Sequence, residues 1–232
     1  MIRDILFPPR CPICEKIVSK LGIACEECKR VLPYVKTPRC KKCGKSISNV
    51  EKEYCADCAK RSYSYKEGKA VWDYDKKMAA SIARFKYKSK AEYAAFYAEE
   101  MAHQYGEWLI REGIEALLPV PIHKAKRNIR GYNQAELIAV QLGEKTGLPV
   151  IPSGLLRIKD TKPQKELTPG ERARNLKQAF RANEASLFGI KKIALLDDIY
   201  TTGSTIDACA KVLVASGVEE VYFLSVCIGS ND

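Results

Sequence analysis

From residue 69 onward, apolar residues recur at spacings typical of strands that alternate with helices. Short apolar or alternating runs predict strands at residues 69–74, 116–121, 148–151, 193–196 and 220–228. Apolar residues three or four positions apart predict helices at residues 75–85, 93–110, 131–147 and 202–216. This alternation indicates an α/β fold with a mostly parallel sheet and flanking helices.

The first 64 residues lack this pattern and are rich in cysteine instead. Eight of the ten cysteines lie there, in four pairs whose members are separated by two residues. The pairs are Cys11 and Cys14, Cys25 and Cys28, Cys40 and Cys43, and Cys55 and Cys58. Two such pairs supply four thiolates, the tetrahedral set that Zn²⁺ prefers. We therefore expect two structural zinc sites in a region too short to bury a large core.

Disulfides are the alternative use of these cysteines, but they need an oxidising compartment, and residues 1–4 open no export signal. We expect neighbouring pairs to share a metal, the first with the second and the third with the fourth, with a cross-braced arrangement as the alternative. The region either supports the fold or binds a partner. We divide the chain into a double zinc ribbon at residues 1–64 and an α/β domain at residues 65–232.

The formal net charge of +11 suits an anionic partner, either a nucleic acid or a phosphorylated small molecule. No apolar run approaches the roughly 18 residues of a membrane span, so we expect a cytoplasmic protein. Outside the cysteine-rich region, basic residues cluster at residues 84–90, 124–130 and 157–181. The first two clusters lie near predicted strand ends, where α/β folds bind ligands.

The most informative segment is residues 193–205, IALLDDIYTTGST, in which an apolar strand runs into two acids and then a turn that opens a helix. Backbone N–H groups in such a turn, at the positive end of a helix, form a cradle for phosphate. The expected phosphate contacts are Thr201, Thr202, Gly203, Ser204 and Thr205. Asp197 and Asp198 suit the hydroxyls of an attached sugar, or a metal associated with it. A plain strand–turn–helix corner is the alternative, but unpartnered acids would be costly there.

This segment matches the 5-phosphoribosyl-1-pyrophosphate (PRPP) loop of type I phosphoribosyltransferases. More narrowly, the chain resembles the ComF family of competence-associated proteins along its whole length. The most family-specific match is Arg130-Gly131-Tyr132-Asn133-Gln134. Further matches are the four cysteine pairs, Leu6-Phe7-Pro8, Phe85-Lys86-Tyr87-Lys88, Pro119-Val120-Pro121, Arg127, Arg157, Thr161, Gln164, Leu167, Arg172, Asn175 and Ala179-Phe180.

The resemblance implies a type I phosphoribosyltransferase fold preceded by a small zinc-ribbon region, with PRPP as ligand and magnesium bound with it. It implies that Asp197 and Asp198 hold the ribose hydroxyls and that residues 201–205 hold the 5′-phosphate. The pyrophosphate of PRPP also needs cations, and arginine binds phosphate in a bidentate manner. The expected pyrophosphate contacts are Arg127, Arg130 and Arg172, with Lys86 next.

Two functions of different classes are compatible with these residues. The first is Mg²⁺-dependent phosphoribosyl transfer from PRPP to an acceptor that the sequence does not name. Glutamine amidotransfer is not expected with it, because that reaction needs an N-terminal catalytic Cys and residue 2 is Ile2. The second is a non-enzymatic protein that binds single-stranded DNA. The resemblance implies a link to DNA uptake, with other competence proteins, a helicase among them, as partners of the zinc ribbon.

Overall fold

The structure is a computed structural model, and it describes residues 8–19, 23–159 and 178–229. Its central sheet has four parallel strands in the order β1-β6-β5-β2. These strands are β1 (Gly68–Asp73), β2 (Ala116–Pro119), β5 (Lys192–Tyr200) and β6 (Glu220–Ile228). A separate antiparallel pair consists of β3 (Leu155–Arg157) and β4 (Phe180–Ala182). The predicted α/β fold with a parallel sheet is confirmed.

Helices connect the strands and cover the sheet. The longer ones are α3 (Lys76–Tyr87), α4 (Tyr93–Arg111), α5 (Lys124–Arg130), α6 (Gln134–Thr146) and α8 (Ser204–Ala215). The short ones are α1 (Glu26–Lys29), α2 (Ala56–Lys60) and α7 (Glu184–Leu187). Within the described residues, none of the helices combines the length and the apolar character that crossing a membrane requires.

Both faces of the sheet are buried, which explains why its central strands are almost wholly apolar. On one face, Ala194 and Leu196 of β5 belong to a core with helices α3, α4 and α6 and with the first two cysteine pairs. On the other face, Ile193 and Leu195 belong to a core with helix α8 and the last two cysteine pairs. The cysteine-rich region therefore packs against both sides of the α/β domain.

Most predicted ends lie within about two residues of the observed ones, but three predicted elements differ more from the structure. Strand β5 continues through the two acids to Tyr200, because its ladder with β6 extends to Ile228. Residues 148–151 form only an isolated bridge to β2 rather than a strand. The helix predicted at residues 131–147 begins at Gln134, because Gly131 has a φ of +83° and ends the preceding helix α5. That preceding helix was not predicted.

Candidate functional site

The eight N-terminal cysteines gather into two clusters. The first cluster contains Cys11, Cys14, Cys25 and Cys28, and the second contains Cys40, Cys43, Cys55 and Cys58. All eight thiols are free, and the sulfurs of each cluster lie within 4.8 Å of one another. The Sγ atoms of Cys14 and Cys25 are 3.6 Å apart, and those of Cys43 and Cys55 are 3.7 Å apart. Tetrahedral zinc with Zn–S bonds of about 2.3 Å requires a spacing of about 3.8 Å. The clusters fit two structural zinc sites, and the sequential pairing is confirmed.

The residues of the predicted phosphate loop lie together where strand β5 ends and helix α8 begins. A small cavity is lined by Asp197 and by residues 199–206. Gly203 precedes the helix with a φ of +75°, and an added Cβ would lie 2.4 Å from the Tyr200 hydroxyl oxygen. The hydroxyl oxygens of Thr202 and Ser204 are 2.9 Å apart. The positive end of the three-turn helix α8 therefore lies at this cavity, and the glycine before it leaves room for the Tyr200 side chain.

The two acids lie within strand β5 rather than in a loop after it. The carboxylate of Asp198 accepts two contacts from Lys86 on helix α3, with Nζ 2.9 Å from Oδ1 and 2.8 Å from Oδ2. Oδ1 of Asp197 accepts a hydrogen bond of 2.8 Å from the backbone N–H of Asp198. One acid is thus held by a cation from another element, and the other is held by its own strand.

The electrostatics of the acid pair follow from its burial. Burial raises the pKa of Asp197 to about 7, and the neighbouring Asp198 carboxylate adds to the rise. Burial also opposes charge on Lys86, but the carboxylates of Asp198 and Asp197 outweigh it and raise the pKa of Lys86 above its ordinary value. Lys86 therefore carries a positive charge beside the two acids at neutral pH.

Arg130 is the second cation that the fold brings to this place. It lies on the last turn of helix α5, near enough to Lys86 for its positive charge to lower the pKa of Lys86, although the two acids raise that pKa by more. Its guanidinium lies over the ring of Tyr87, 5.1 Å from the ring centroid, and donates a hydrogen bond of 2.9 Å to Gln134. Tyr87 is 67% exposed. Lys86 and Arg130 thus form a cationic pair beside an exposed aromatic ring.

The other predicted pyrophosphate contacts are not brought together in this way. Arg127 is 55% exposed and pairs with Glu136 at 3.1 Å. Arg172 lies outside the described residues, as do several other residues that carried the resemblance: Leu6, Phe7, Thr161, Gln164, Leu167 and Asn175. Arg157, at the end of β3, has its guanidinium 5.3 Å from the ring centroid of Phe180, and its charge lowers the pKa of Asp197. It was not among the predicted contacts, although its position in a basic cluster pointed to it.

Two tyrosines that support the loop also escaped the sequence analysis. The Tyr63 hydroxyl donates to the Thr202 carbonyl oxygen at 3.1 Å, and the Tyr65 hydroxyl lies 2.7 Å from that of Tyr200. Tyr63 comes five residues after Cys58, the last cysteine of the four pairs, and Tyr65 two residues later. The alternation of the two tyrosines around Ser64 was the available sequence signal.

Comparison with known proteins places these features in a family. The family model of the Double zinc ribbon domain matches residues 2–59. Competence protein F of Haemophilus influenzae is 30% identical over 214 residues, which are 88% of this chain and 89% of that protein. Competence protein ComFC of Bacillus subtilis is 27% identical, covering 83% of this chain and 78% of that protein. DNA utilization protein YhgH of Salmonella typhimurium is 26% identical, covering 96% and 98%.

Two of the solved structures that this chain partly matches are named for enzymes that use or transfer phosphoribosyl groups. The glutamine PRPP amidotransferase from B. subtilis has a TM-score of 0.38 at 16% identity, covering 62% of this chain and 30% of that one. Adenine phosphoribosyltransferase from Leishmania tarentolae has a TM-score of 0.36 at 14% identity, covering 61% and 73%. Because its identity to Competence protein F extends over most of both proteins, and because the double zinc ribbon occupies the same chain, this protein belongs to the ComF family.

Proposed function

We propose that this protein binds PRPP at the end of strand β5 and transfers its phosphoribosyl group to an acceptor, as part of a role in DNA uptake. The observation that carries the proposal is one small cavity lined by the glycine-containing turn, the N-terminus of helix α8 and Asp197, with Asp198 next to Asp197 in strand β5. The turn and the helix N-terminus match a phosphate, and the acids match the hydroxyl groups of a sugar. PRPP joins a phosphate and a sugar in one ligand.

In this proposal, residues 201–205 bind the 5′-phosphate. The first N–H groups of helix α8 have no partner within the helix, and the helix dipole favours an anion next to them. Hydroxyl groups from Thr201, Thr202, Ser204 and Thr205 add donors around the same position. Gly203 supplies the positive φ of the turn, and a side chain there would collide with Tyr200 and displace the loop that binds the phosphate.

Asp197 and Asp198 accept hydrogen bonds from the ribose hydroxyls through their carboxyl oxygens, which can accept in either protonation state. Asp198 already has Lys86 as its partner, so sugar binding loosens that ion pair. The ammonium group of Lys86 then becomes available, with the nearby guanidinium of Arg130, to the pyrophosphate. Arg127 and Arg172 are proposed as further contacts that join when the ligand is bound.

The proposed chemistry needs positioning more than it needs a catalytic base. The bond between C1 of the ribose and the pyrophosphate oxygen breaks, and the pyrophosphate leaves with the electron pair. The sugar ring gains oxocarbenium character, as in glycoside cleavage, and a lone pair of the acceptor forms the new bond to C1 while the acceptor gives up a proton. Mg²⁺ bound with the pyrophosphate neutralises part of its charge. Lys86 and Arg130 stabilise the leaving group from the protein side.

A second candidate function is binding of single-stranded DNA without catalysis. The exposed ring of Tyr87 beside Arg130 favours it, because nucleic acid bases stack on aromatic rings and phosphates pair with arginine. The net charge of +11 and the relatives named for competence and DNA utilization agree with this function. The same proposal includes a cytoplasmic location. It also includes other competence proteins as partners, among them a helicase that binds the zinc ribbon.

Isothermal titration calorimetry with PRPP and Mg²⁺ tests the first function. Wild-type protein is expected to bind, and the Asp197→Asn/Asp198→Asn variant is expected to lose binding. Glu107→Gln, an exposed acid on helix α4, provides a charge-matched control for each substitution. Absence of binding by the wild type would refute the enzyme proposal and leave DNA binding as the remaining candidate.

A further inference from the structure

The 63–65 segment connects the second cysteine cluster to strand β1, and it contacts the phosphate loop at three points. One point is at the end of strand β5, one is in the turn, and one is in the first turn of helix α8. The contacts are Tyr65 Oη to Tyr200 Oη (2.7 Å), Tyr63 Oη to the Thr202 carbonyl oxygen (3.1 Å) and Ser64 N to Asp207 Oδ1 (2.7 Å). The 63–65 segment therefore contacts the residues on both sides of the turn as well as the turn itself.

The same segment is fixed to the second cysteine cluster. The Nζ atom of Lys42, which lies between Cys40 and Cys43, is 5.1 Å from the centroid of the Tyr65 ring. The carbonyl oxygen of Lys42 accepts a hydrogen bond of 2.9 Å from the backbone N–H of Gly68. Tyr65 is almost fully buried, at 1% exposure, in a core that includes the cysteines of this cluster.

The turn that contains Cys40 and Cys43 packs closely against strand β1, so the two have little freedom to move apart. Gly44 follows Cys43 with a φ of +79°, and an added Cβ there would lie 2.7 Å from the carbonyl oxygen of Gly68. Lys45 is also buried and pairs with Asp57 of helix α2 at 3.0 Å, which joins the two halves of the cluster. The position of this turn thus depends on the cluster being assembled.

The first cysteine cluster has different neighbours. The carbonyl oxygen of Pro12 accepts hydrogen bonds from Ser81 (2.6 Å) and Arg84 (3.1 Å), both on helix α3. The described contacts of this cluster reach that helix and do not reach residues 200–207. The two clusters are chemically alike, so the first provides an internal comparison for the second.

We infer that the 63–65 segment couples the second cysteine cluster to the phosphate loop, so that zinc binding at this cluster and phosphate binding at the loop favour each other. Thermodynamic linkage makes such coupling reciprocal, because each ligand stabilises the arrangement that the other needs. The ligand side of this inference rests on the proposed function. Tyr63, Ser64 and Tyr65 act as positioning residues and need not touch the ligand.

Hydrogen exchange of the backbone amides at residues 207–210, the first that are bonded within helix α8, tests the coupling without any ligand. Tyr65→Phe removes one hydroxyl and keeps the ring, and it is expected to speed exchange there about five-fold or more while both zinc ions stay bound. Tyr34→Phe is the matched control, since the Tyr34 hydroxyl donates to Glu100 rather than to the loop. Unchanged exchange at residues 207–210 in Tyr65→Phe would overturn the inference.

Disrupting the clusters themselves gives a second comparison. Cys58→Ser is expected to speed exchange at residues 207–210, and Cys14→Ser, in the first cluster, is expected to leave it unchanged. Equal effects of the two variants would count against a specific link. Should Cys58→Ser also speed exchange throughout helix α6, the variant has unfolded more widely and Tyr65→Phe decides the question.

The reciprocal effect is measured by competition for zinc with a chromophoric chelator, with and without PRPP and Mg²⁺. PRPP is expected to raise the affinity for one of the two zinc ions by about five-fold or more. Tyr65→Phe is expected to abolish this effect of PRPP on the zinc affinity. If wild-type protein fails to bind PRPP, the proposed function fails while the exchange measurement still decides the coupling. If PRPP binds but neither zinc affinity responds, the coupling alone is refuted.

Discussion

Lys86 and Asp198 form an ion pair between helix α3 and the end of strand β5, although 112 residues separate them in the chain. Their side chains are only 18% and 12% exposed. The pair neutralises an acid that would otherwise be buried beside a second acid, and it connects the helix to the strand that leads into the phosphate loop. This relationship lets the site keep two carboxylates together before any ligand binds.

Removal of one partner of this pair is expected to destabilise the fold. Lys86→Met leaves the Asp198 carboxylate nearly buried without its cation, and we expect the free energy of unfolding to fall by about 2 to 4 kcal/mol. Urea denaturation of the wild type and of the variant measures this loss of unfolding free energy. The double variant Lys86→Met/Asp198→Asn is expected to lose less than the sum of the single variants, because no uncompensated charge remains. Strict additivity would show that the two side chains do not interact.

Asp197 predicts a specific pH dependence of stability. Its pKa is about 7 in the folded protein and 3.8 ordinarily, so between these values the folded chain holds a proton that the unfolded chain has released. Its contribution to the free energy of unfolding therefore falls as the pH rises through this window, by at most about 1.4 kcal/mol per pH unit.

Denaturant unfolding between about pH 5 and pH 8 measures this slope. Asp197→Asn is expected to remove the Asp197 contribution, and Glu107→Gln is expected to keep the wild-type profile because Glu107 is exposed. An Asp197→Asn profile parallel to that of the wild type would contradict the assignment.

Gly203→Ala is expected to disturb the phosphate loop more than backbone strain alone explains. The new methyl group would lie 2.4 Å from the Tyr200 hydroxyl oxygen, so we expect a loss of stability of about 1 to 3 kcal/mol. We also expect PRPP affinity to fall at least about ten-fold. Gly217→Ala is the control, because Gly217 also has a positive φ but has open space around it. Equal effects of both variants would place the cause in the backbone and not in the contact with Tyr200.

Elemental analysis of the purified protein is expected to find two zinc ions per chain. Cys43→Ser is expected to lower the ratio to one and to lower the melting temperature, because the second cluster is part of the core on one face of the sheet. Cys209→Ser serves as the control for the zinc count, since this cysteine is buried in the same core but belongs to neither cluster. Disulfides among the eight cysteines, found by thiol titration without reductant, would refute the zinc assignment.

The DNA-binding candidate predicts a different pattern. Binding of single-stranded DNA is expected to weaken steeply as salt increases, because phosphate contacts release counterions. Arg127→Ala/Arg130→Ala is expected to weaken it in a gel-shift assay, with Arg111→Ala, an exposed arginine on helix α4, as the control. If the double variant binds DNA as well as the wild type does, the DNA site belongs to the zinc ribbon instead.

Local patterns were sufficient to predict the features that depend on neighbouring residues. The spacing of the cysteine pairs predicted both clusters and their pairing, because two residues between thiolates allow a turn around one ion. The sequence of residues 193–205 predicted a strand, a turn and a helix start, because each of these also depends on residues that are close together in the chain. The predicted end of strand β5 was wrong, because the two acids interrupt the apolar pattern while the backbone hydrogen bonds to β6 continue beyond them.

Features that depend on distant residues could not be predicted in this way. Nothing near Lys86 identifies Asp198 as its partner, and nothing near Tyr65 identifies Tyr200. Helix α5 has a largely polar sequence, KAKRNIR, and therefore lacks the apolar periodicity that would predict a helix. Arg127 and Arg130 were both expected to contact pyrophosphate near a strand end, whereas the helix directs Arg127 to Glu136 and Arg130 to Tyr87.

Calorimetric titration of PRPP with Mg²⁺ into the full chain, compared between wild type, Asp198→Asn and Glu107→Gln, tests the central claim most directly. The proposed site predicts saturable binding by wild type and by Glu107→Gln with one PRPP per chain, and an affinity at least about ten-fold weaker for Asp198→Asn. Undetectable binding by the wild type, or equal affinity in all three proteins, would contradict a PRPP site at the end of strand β5.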